Sequence, residues 1–294
     1  MATSETSMSS RPTLPELAKL IRRDERSTPR IMGIVNVTPD SFHKGSRRDT
    51  VTAVNSALEM LKSGADWIDI GGESTRPGAD PVTVEEELNR VIPVITELKK
   101  IMPNVLISVD TKKVEVAKQA ILAGALMIND VSGLRNKDMF ELVLSEKIPV
   151  CIMHMQNNPE NMQVSPYYGD CLEEVCEILF SKADELINRG FPKNLIILDP
   201  GIGFGKLLTH NLELLRGTDK ISRGTFSVLN GVSRKSMIGE LTNSKNTENR
   251  LPGTLAVSAF GQMNGIDILR VHDVKEHVDL TNVLSAIMDG MEIK

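Results

Sequence analysis

The chain has 294 residues, 40% of them hydrophobic and 25% charged, enough to bury a large core and too apolar for a disordered tail. Its formal net charge of -5 and its 3% aromatic content exclude a general basic nucleic-acid surface and an aromatic platform for stacking single strands. Three cysteines without a C-x-x-C pair, and no apolar run of ~18 residues, exclude a disulfide framework and a membrane span and point to a cytoplasmic protein.

Residues 1–29 read as an arm, punctuated by Pro12, Pro15 and Pro29, with room for one short helix over 16–23. Residues 30–294 read as a single domain. Short runs apolar on both faces recur at Ile31–Val37, Trp67–Ile70, Val105–Val109, Leu126–Ile128, Val150–Met153, Leu195–Leu198, Phe226–Leu229 and Ile268–Val271, the pattern of parallel strands covered by helices. Between them lie amphipathic segments at Val51–Lys62, Val84–Ile101, Val114–Leu122, Leu172–Asn188, Leu255–Met263 and Val274–Met288. Gly64, Gly124 and Gly190 stand where left-handed caps end such helices. Even strand–helix units with no edge strand to dispose of predict an α/β fold, a (β/α)8 TIM barrel, in preference to an open doubly wound sheet.

The active site of such a barrel lies at the C-terminal ends of its strands. Asn36, Asp69, Asp110, Asn129, Asp130, Met153, His154, Asp199, Ser233 to Ser236, Arg270 and His272 all fall at or just after strand ends. One aspartate there is ordinarily a helix cap; so many ionisable groups at one rim have no structural purpose. Asp110, Asn129 and Asp199 suit a flat heterocycle with several N–H donors. Ser233, Arg234, Lys235, Ser236, Arg270 and His272 suit a phosphate group, although Arg234 is as well explained by pairing with a rim carboxylate. Asp130, one step along the strand from Asn129, faces the other way. Gly201–Lys206 imitates a dinucleotide fingerprint and a Walker A loop, but it lacks the spacing of either, and Leu207 stands where Mg2+ would need Ser or Thr. The five histidines form no triad or zinc motif.

The strand-end motifs, Met32–Phe42 (MGIVNVTPDSF), Gly71–Gly78 (GGESTRPG), Ser108–Thr111, Asn129–Asp130, Met153–Gln156 (MHMQ), Asp199–Lys206 (DPGIGFGK), Ser233–Ser236 (SRKS) and Arg270–Asp273 (RVHD), are recognisable together. In this order the chain resembles the dihydropteroate synthase family of folate biosynthesis. The resemblance implies a transferase that joins (7,8-dihydropterin-6-yl)methyl diphosphate to p-aminobenzoate, with pyrophosphate released and sulfonamides acting as mimics of p-aminobenzoate. It implies that Asp110, Asn129, Asp199 and Lys235 hold the pterin, with Met153 in the same pocket. Arg270, with His272 and Asn36, would hold the diphosphate, and Asn36 would be the one protein ligand to Mg2+. Thr75, Arg76, Phe42, Pro77, Phe204 and Ser236 would surround p-aminobenzoate. Asp110, Lys235 and Arg270 would carry the chemistry, a dissociative substitution in which a neutral aniline nitrogen needs no strong base. The resemblance also implies a homodimer, for which Leu280, Val283, Leu284 and Ile287 offer a face, although packing onto the barrel wall would use them equally well.

The sequence departs from the family's pattern after Phe42: His43-Lys44-Gly45-Ser46 replaces the usual Ser-Asp-Gly-Gly, so an acidic side chain of the first loop is missing or displaced. Two alternatives remain at this point. A methyltetrahydrofolate-dependent methyltransferase would share a pterin-binding barrel but have no diphosphate for the cationic motifs, and a non-catalytic pterin-binding paralogue would bind without turnover.

Overall fold

The computed structural model describes residues 11–24, 28–37, 47–74, 79–157 and 161–288. Strands β1 (Arg30–Asn36), β2 (Trp67–Gly71), β3 (Leu106–Asp110), β4 (Met127–Asp130), β5 (Val150–Met153), β6 (Ile196–Asp199), β7 (Ser227–Asn230) and β8 (Ile268–Val271) close into one parallel barrel in chain order. The barrel predicted from the alternation of runs is therefore the fold, and the open sheet is not.

The strands form where they do because nearly every residue in them is buried on one face or the other. Alternation separates the faces. Residues such as Ile68, Ile70, Ile107, Val109 and Ile128 meet the surrounding helices, while Met32, Trp67, Met127, Cys151, Ile197, Leu229 and Ile268 fill the barrel's interior near the strands' beginnings.

The helices are α1 (Leu14–Leu20), α2 (Arg47–Lys62), α3 (Val84–Ile101), α4 (Val114–Leu122), α5 (Lys137–Glu146), α6 (Cys171–Asn188), α7 (Leu208–Arg216), α8 (Thr218–Ser222), α9 (Ser236–Thr242), α10 (Leu251–Met263) and α11 (Val274–Met288). Helices α5, α7, α8 and α9 are the ones that apolar spacing did not mark. The last two have 5 and 7 residues, too few to display a helical period. Local chemistry starts α5 instead: the Asn136 side chain accepts from Asp138 N at 2.8 Å.

Helix α1 begins at a capping box in which the Glu16 carboxylate receives Thr13 N at 2.7 Å. It delivers Leu20 and Ile21 to the underside of the barrel, against the interior apolar layer, and Leu20 O accepts the Trp67 indole N–H at 2.9 Å. Helix α1 thus covers the end of the barrel opposite the strands' C-termini. Among the described residues, no helix is long and apolar enough to cross a membrane.

Candidate active site

The ladder brings the predicted residues to one level. Asn36 lies beside Gly71, Gly71 beside Asp110 and Asp110 beside Asn129, across β1 to β4; Met153 lies beside Asp199 across β5 and β6. Because β2, β3, β4, β6 and β8 carry Trp67, Leu106, Met127, Ile197 and Ile268 on the inside, the residues two or four steps on, Asp69, Ser108, Asp110, Asn129, Asp199 and Arg270, also point inward. Asp130 turns outward, where its carboxylate accepts from Ser132 N, Ser132 Oγ and Leu134 N at 2.7–2.9 Å, the capping role its position predicted.

Arg270 is the hub. Its Nε donates to Asp69 Oδ2 at 2.6 Å and its Nη2 to Asp110 Oδ2 at 2.7 Å. Asn129 Nδ2 donates to the same Asp69 oxygen at 3.1 Å, which turns the amide's carbonyl elsewhere and fixes its orientation. Two carboxylates share one guanidinium. Burial pushes the Asp110 carboxyl up to about 7; Arg270 opposes that rise and the neighbouring Asp69 adds to it. For Arg270 burial works against the charge, but Asp69 and Asp110 outweigh it and keep the group cationic. Below them, Asp69 Oδ1 and Ser108 Oγ are buried with no protein partner, the kind of oxygen that buried water ordinarily satisfies.

The second half of the bowl is made by the loops after β6 and β7. Asp199 Oδ1 accepts from Gly201 N at 2.7 Å; burial raises its carboxyl, and the charge of Lys235 opposes the rise. Lys235 Nζ donates to Ile202 O and stands 4.3 Å over the centre of the Phe204 ring. Burial lowers its ammonium to about 8, with Asp199 holding it up. Phe204 joins Met153, Met155, Met162 and Val131 in an apolar wall beside it. Gly231 lies between the two halves, where a Cβ would be 3.9 Å from both Arg270 Cδ and Asp199 Oδ2.

Arg234 is not part of the bowl's cationic set. It forms a two-point pair with Asp273 (Nε to Oδ2 2.9 Å), its left-handed backbone (φ 58) is fixed by Thr254 Oγ1 and Arg250, and it thereby aims Lys235 inward. His272 is half-buried with Nδ1 2.9 Å from Ser233 Oγ, which joins the ends of β7 and β8. Asn36 is half-buried at the end of β1, and Ser236 is exposed at the first position of α9.

These features recur in known proteins. Residues 32–272 match the model of the pterin binding enzyme family. The dihydropteroate synthase of Escherichia coli K12 is 45% identical over 269 residues, which span 91% of this chain and 95% of that protein. The chain belongs to the dihydropteroate synthase family. Among solved structures, the Yersinia pestis dihydropteroate synthase with a sulfonamide drug complex superposes with a TM-score of 0.85 at 40% identity, over 90% of this chain and 96% of that one. The Xanthomonas albilineans dihydropteroate synthase in complex with 7,8-dihydropteroate gives 0.81 at 40% identity, over 90% and 95%.

With the family established, the placements can be set beside the predicted site. Asp110, Asn129, Met153, Asp199, Phe204, Lys235 and Arg270 are brought together, with Asn36, His272 and Ser236 on the same rim. Thr75 and Arg76, like Asp40, Phe42, His43, Lys44 and Pro77, lie outside the described residues. Asp69, at the rim in the sequence but with no role assigned there, is the further member. Its signal was its step of two from Trp67 on the interior face, one layer beneath the strand's end.

The entry to the second loop is also held. Lys113 Nζ bridges Glu73 at 2.8 Å and Glu87 at 2.5 Å, and Arg90 donates to Gly72 O at 2.6 Å. A Cβ on Gly72 would lie 2.9 Å from Glu87 and Val91, so only glycine allows α3 this close. The motif's start is thereby anchored to the barrel wall just before Thr75 and Arg76.

Proposed function

We propose that the enzyme condenses (7,8-dihydropterin-6-yl)methyl diphosphate with p-aminobenzoate and releases pyrophosphate. The observation that carries this is the single bowl formed by Asp110, Asn129, Asp199, Lys235 and Arg270, in which each half sets one cation among carboxylates, Arg270 against Asp69 and Asp110 and Lys235 near Asp199. Asp110 and Asp199 accept from N–H groups of the pterin edge, the Asn129 amide pairs with the same edge, and Lys235 donates to a ring acceptor. Arg270, His272 and Asn36 face the diphosphate.

In the reaction the methylene C–O bond breaks first and its electron pair leaves with the diphosphate. The electron-rich pterin carries the positive charge that develops, and the carboxylates of Asp110 and Asp69 stabilise it through space. The aniline nitrogen then bonds to the methylene carbon and loses a proton to water. Its lone pair is the nucleophile, so no base of the Ser–His kind is required.

The donor set also fits Mg2+. A Mg2+ ion here would take its oxygens from substrate phosphate, water and the amide of Asn36, half-buried at the end of β1, the preference of this hard ion. When bound, it would neutralise charge on the departing diphosphate. Wild-type protein given both substrates should release pyrophosphate in a coupled assay, and Asn36→Ala should raise the Mg2+ concentration needed for half-maximal rate. No pyrophosphate, with methyl transfer to a corrinoid protein instead, would identify a methyltransferase; pterin binding without turnover would identify a paralogue. An unaltered Mg2+ titration would remove Asn36 as ligand.

We further infer a cytoplasmic homodimer. Val283 and Ile287 of α11 are 61% and 70% exposed, and Phe260 and Met263 of the adjoining α10 are exposed as well, an apolar face on two neighbouring helices. All three cysteines are unpaired and buried, in keeping with a reducing compartment. A one-chain mass by light scattering would remove the dimer.

A further inference from the structure

Lys206, at the end of the β6 loop, is only 4% exposed, and the chemistry above has no use for it. Its Nζ lies 2.9 Å from His154 Nδ1, 3.0 Å from Gly201 O and 3.0 Å from Phe204 O, so each proton of the ammonium meets an acceptor. Burial, with the charge of Lys206 adding to it, pushes His154 down to about 3. The imidazole is therefore neutral and can offer Nδ1 as an acceptor while its proton sits on Nε2. The Tyr168 ring centre is 6.0 Å from the ammonium, and the Tyr168 hydroxyl donates to Gly205 O at 2.9 Å.

Burial lowers the Lys206 ammonium to about 7, so the group depends on its partners, and here two of them are backbone carbonyls of the loop that forms the bowl's wall. Gly201 and Phe204 are the two ends of one turn, closed by Phe204 N to Gly201 O at 3.0 Å. Within that turn, Ile202 O receives Lys235, and at its end the Phe204 ring lies beneath the same ammonium. The loop is also pressed against the exit of β5. Gly201 has φ +65, and a Cβ there would sit 1.8 Å from His154 O, so no other residue fits. Lys206 thus occupies the inside of the loop and His154 ties it to the neighbouring strand end.

We propose that Lys206, with His154, is a positioning residue that sets where the Phe204 ring and the Ile202 carbonyl stand, and so shapes the half of the bowl that receives the aromatic amine. The proposal rests on the dihydropteroate synthase reading. Asp110 and Asn129 hold the pterin from β3 and β4, whereas only Asp199 and Lys235 touch the β6 loop, at Gly201 N and Ile202 O, so loosening the loop should raise KM for p-aminobenzoate more than it weakens pterin binding.

The test uses purified Lys206→Met and His154→Leu, which remove the cation and an acceptor, and His154→Asn, which keeps an acceptor near Nδ1. Lys206→Met and His154→Leu should raise KM for p-aminobenzoate about tenfold or more while kcat changes less than about threefold, and His154→Asn should stay within about twofold of wild type. Affinity for a 7,8-dihydropterin, measured by calorimetry, should fall by about threefold at most, clearly less than KM for p-aminobenzoate rises. An unchanged KM for p-aminobenzoate in either folded variant overturns the proposal. So does an equal loss of dihydropterin affinity. Failure of Lys206→Met and His154→Leu to fold, with His154→Asn normal, assigns the pair to stability alone and overturns it too. A wild-type protein that releases no pyrophosphate would instead defeat the underlying reading.

Discussion

Lys235→Ala is expected to weaken dihydropterin binding by roughly ten- to a hundredfold, the size of a charge-assisted hydrogen bond of ~1.5–3 kcal/mol. The ammonium has two neighbours in the protein, Ile202 O and the Phe204 ring face, and it opposes the burial of Asp199 electrostatically. Removing it subtracts the donor to the ring and also leaves Asp199 buried without its nearby cation. That carboxyl should then take up a proton more readily and become a poorer acceptor for a ring N–H. Two losses on one surface of the ligand make this change larger than one hydrogen bond suggests. Lys235→Arg should not restore binding fully, because a planar guanidinium offers its donors in a fixed fork in place of the compact point donor that Lys235 directs at Ile202 O and over the Phe204 ring. Calorimetric titration with a 7,8-dihydropterin checks both variants. Unchanged affinity in Lys235→Ala would remove this side chain from the pterin site.

The barrel was legible because its signals are local and repeated. Runs such as Val150–Met153 and Ile268–Val271 are apolar on both faces, and their boundaries in the structure match those read from the chain. The polar rim was legible for the same reason: Asp110 and Asp199 end their strands, where a barrel places chemistry. The role of Asp69 was not, because it sits mid-strand between Ile68 and Ile70 and its partner Arg270 lies 201 residues away in sequence. Arg234 was open between two roles, and only the position of Asp273 decides for the structural one. The covering of the barrel's end by α1 was equally hidden. Trp67 looked like one more core residue, and its indole N–H finds Leu20 O only when the chain has closed on itself. The sequence carries each residue's preference for a face or a level; partners brought together by closure are invisible to it.

Dihydropterin affinity is expected to follow a bell-shaped pH curve with its optimum between about 7 and 8. The ascending limb comes from the carboxyls. Asp110 must be ionised to accept from a ring N–H, and burial raises it to about 7. A carboxyl raised in this way is protonated at pH values where an exposed one is not, so affinity must rise with pH through that value. A single group of this kind goes from ~9% to ~91% ionised between pH 6 and 8, a gain of about tenfold in competent protein. Asp199, also raised by burial, adds to the same limb. The descending limb comes from Lys235, lowered by burial to about 8, which loses its donor charge as pH climbs further. Arg270 stays charged throughout, so it sets the level of both limbs and contributes to neither. The ascending limb is set by Asp110 within its cluster, where the Asp69 charge raises it and the shared Arg270 guanidinium opposes the rise. Asp110→Asn should therefore flatten the ascending limb to the part owed to Asp199 while leaving the descending limb in place. A wild-type affinity that is flat from pH 6 to 8, or an Asp110→Asn profile identical to it, would show that Asp110 does not meet the pterin as an anion.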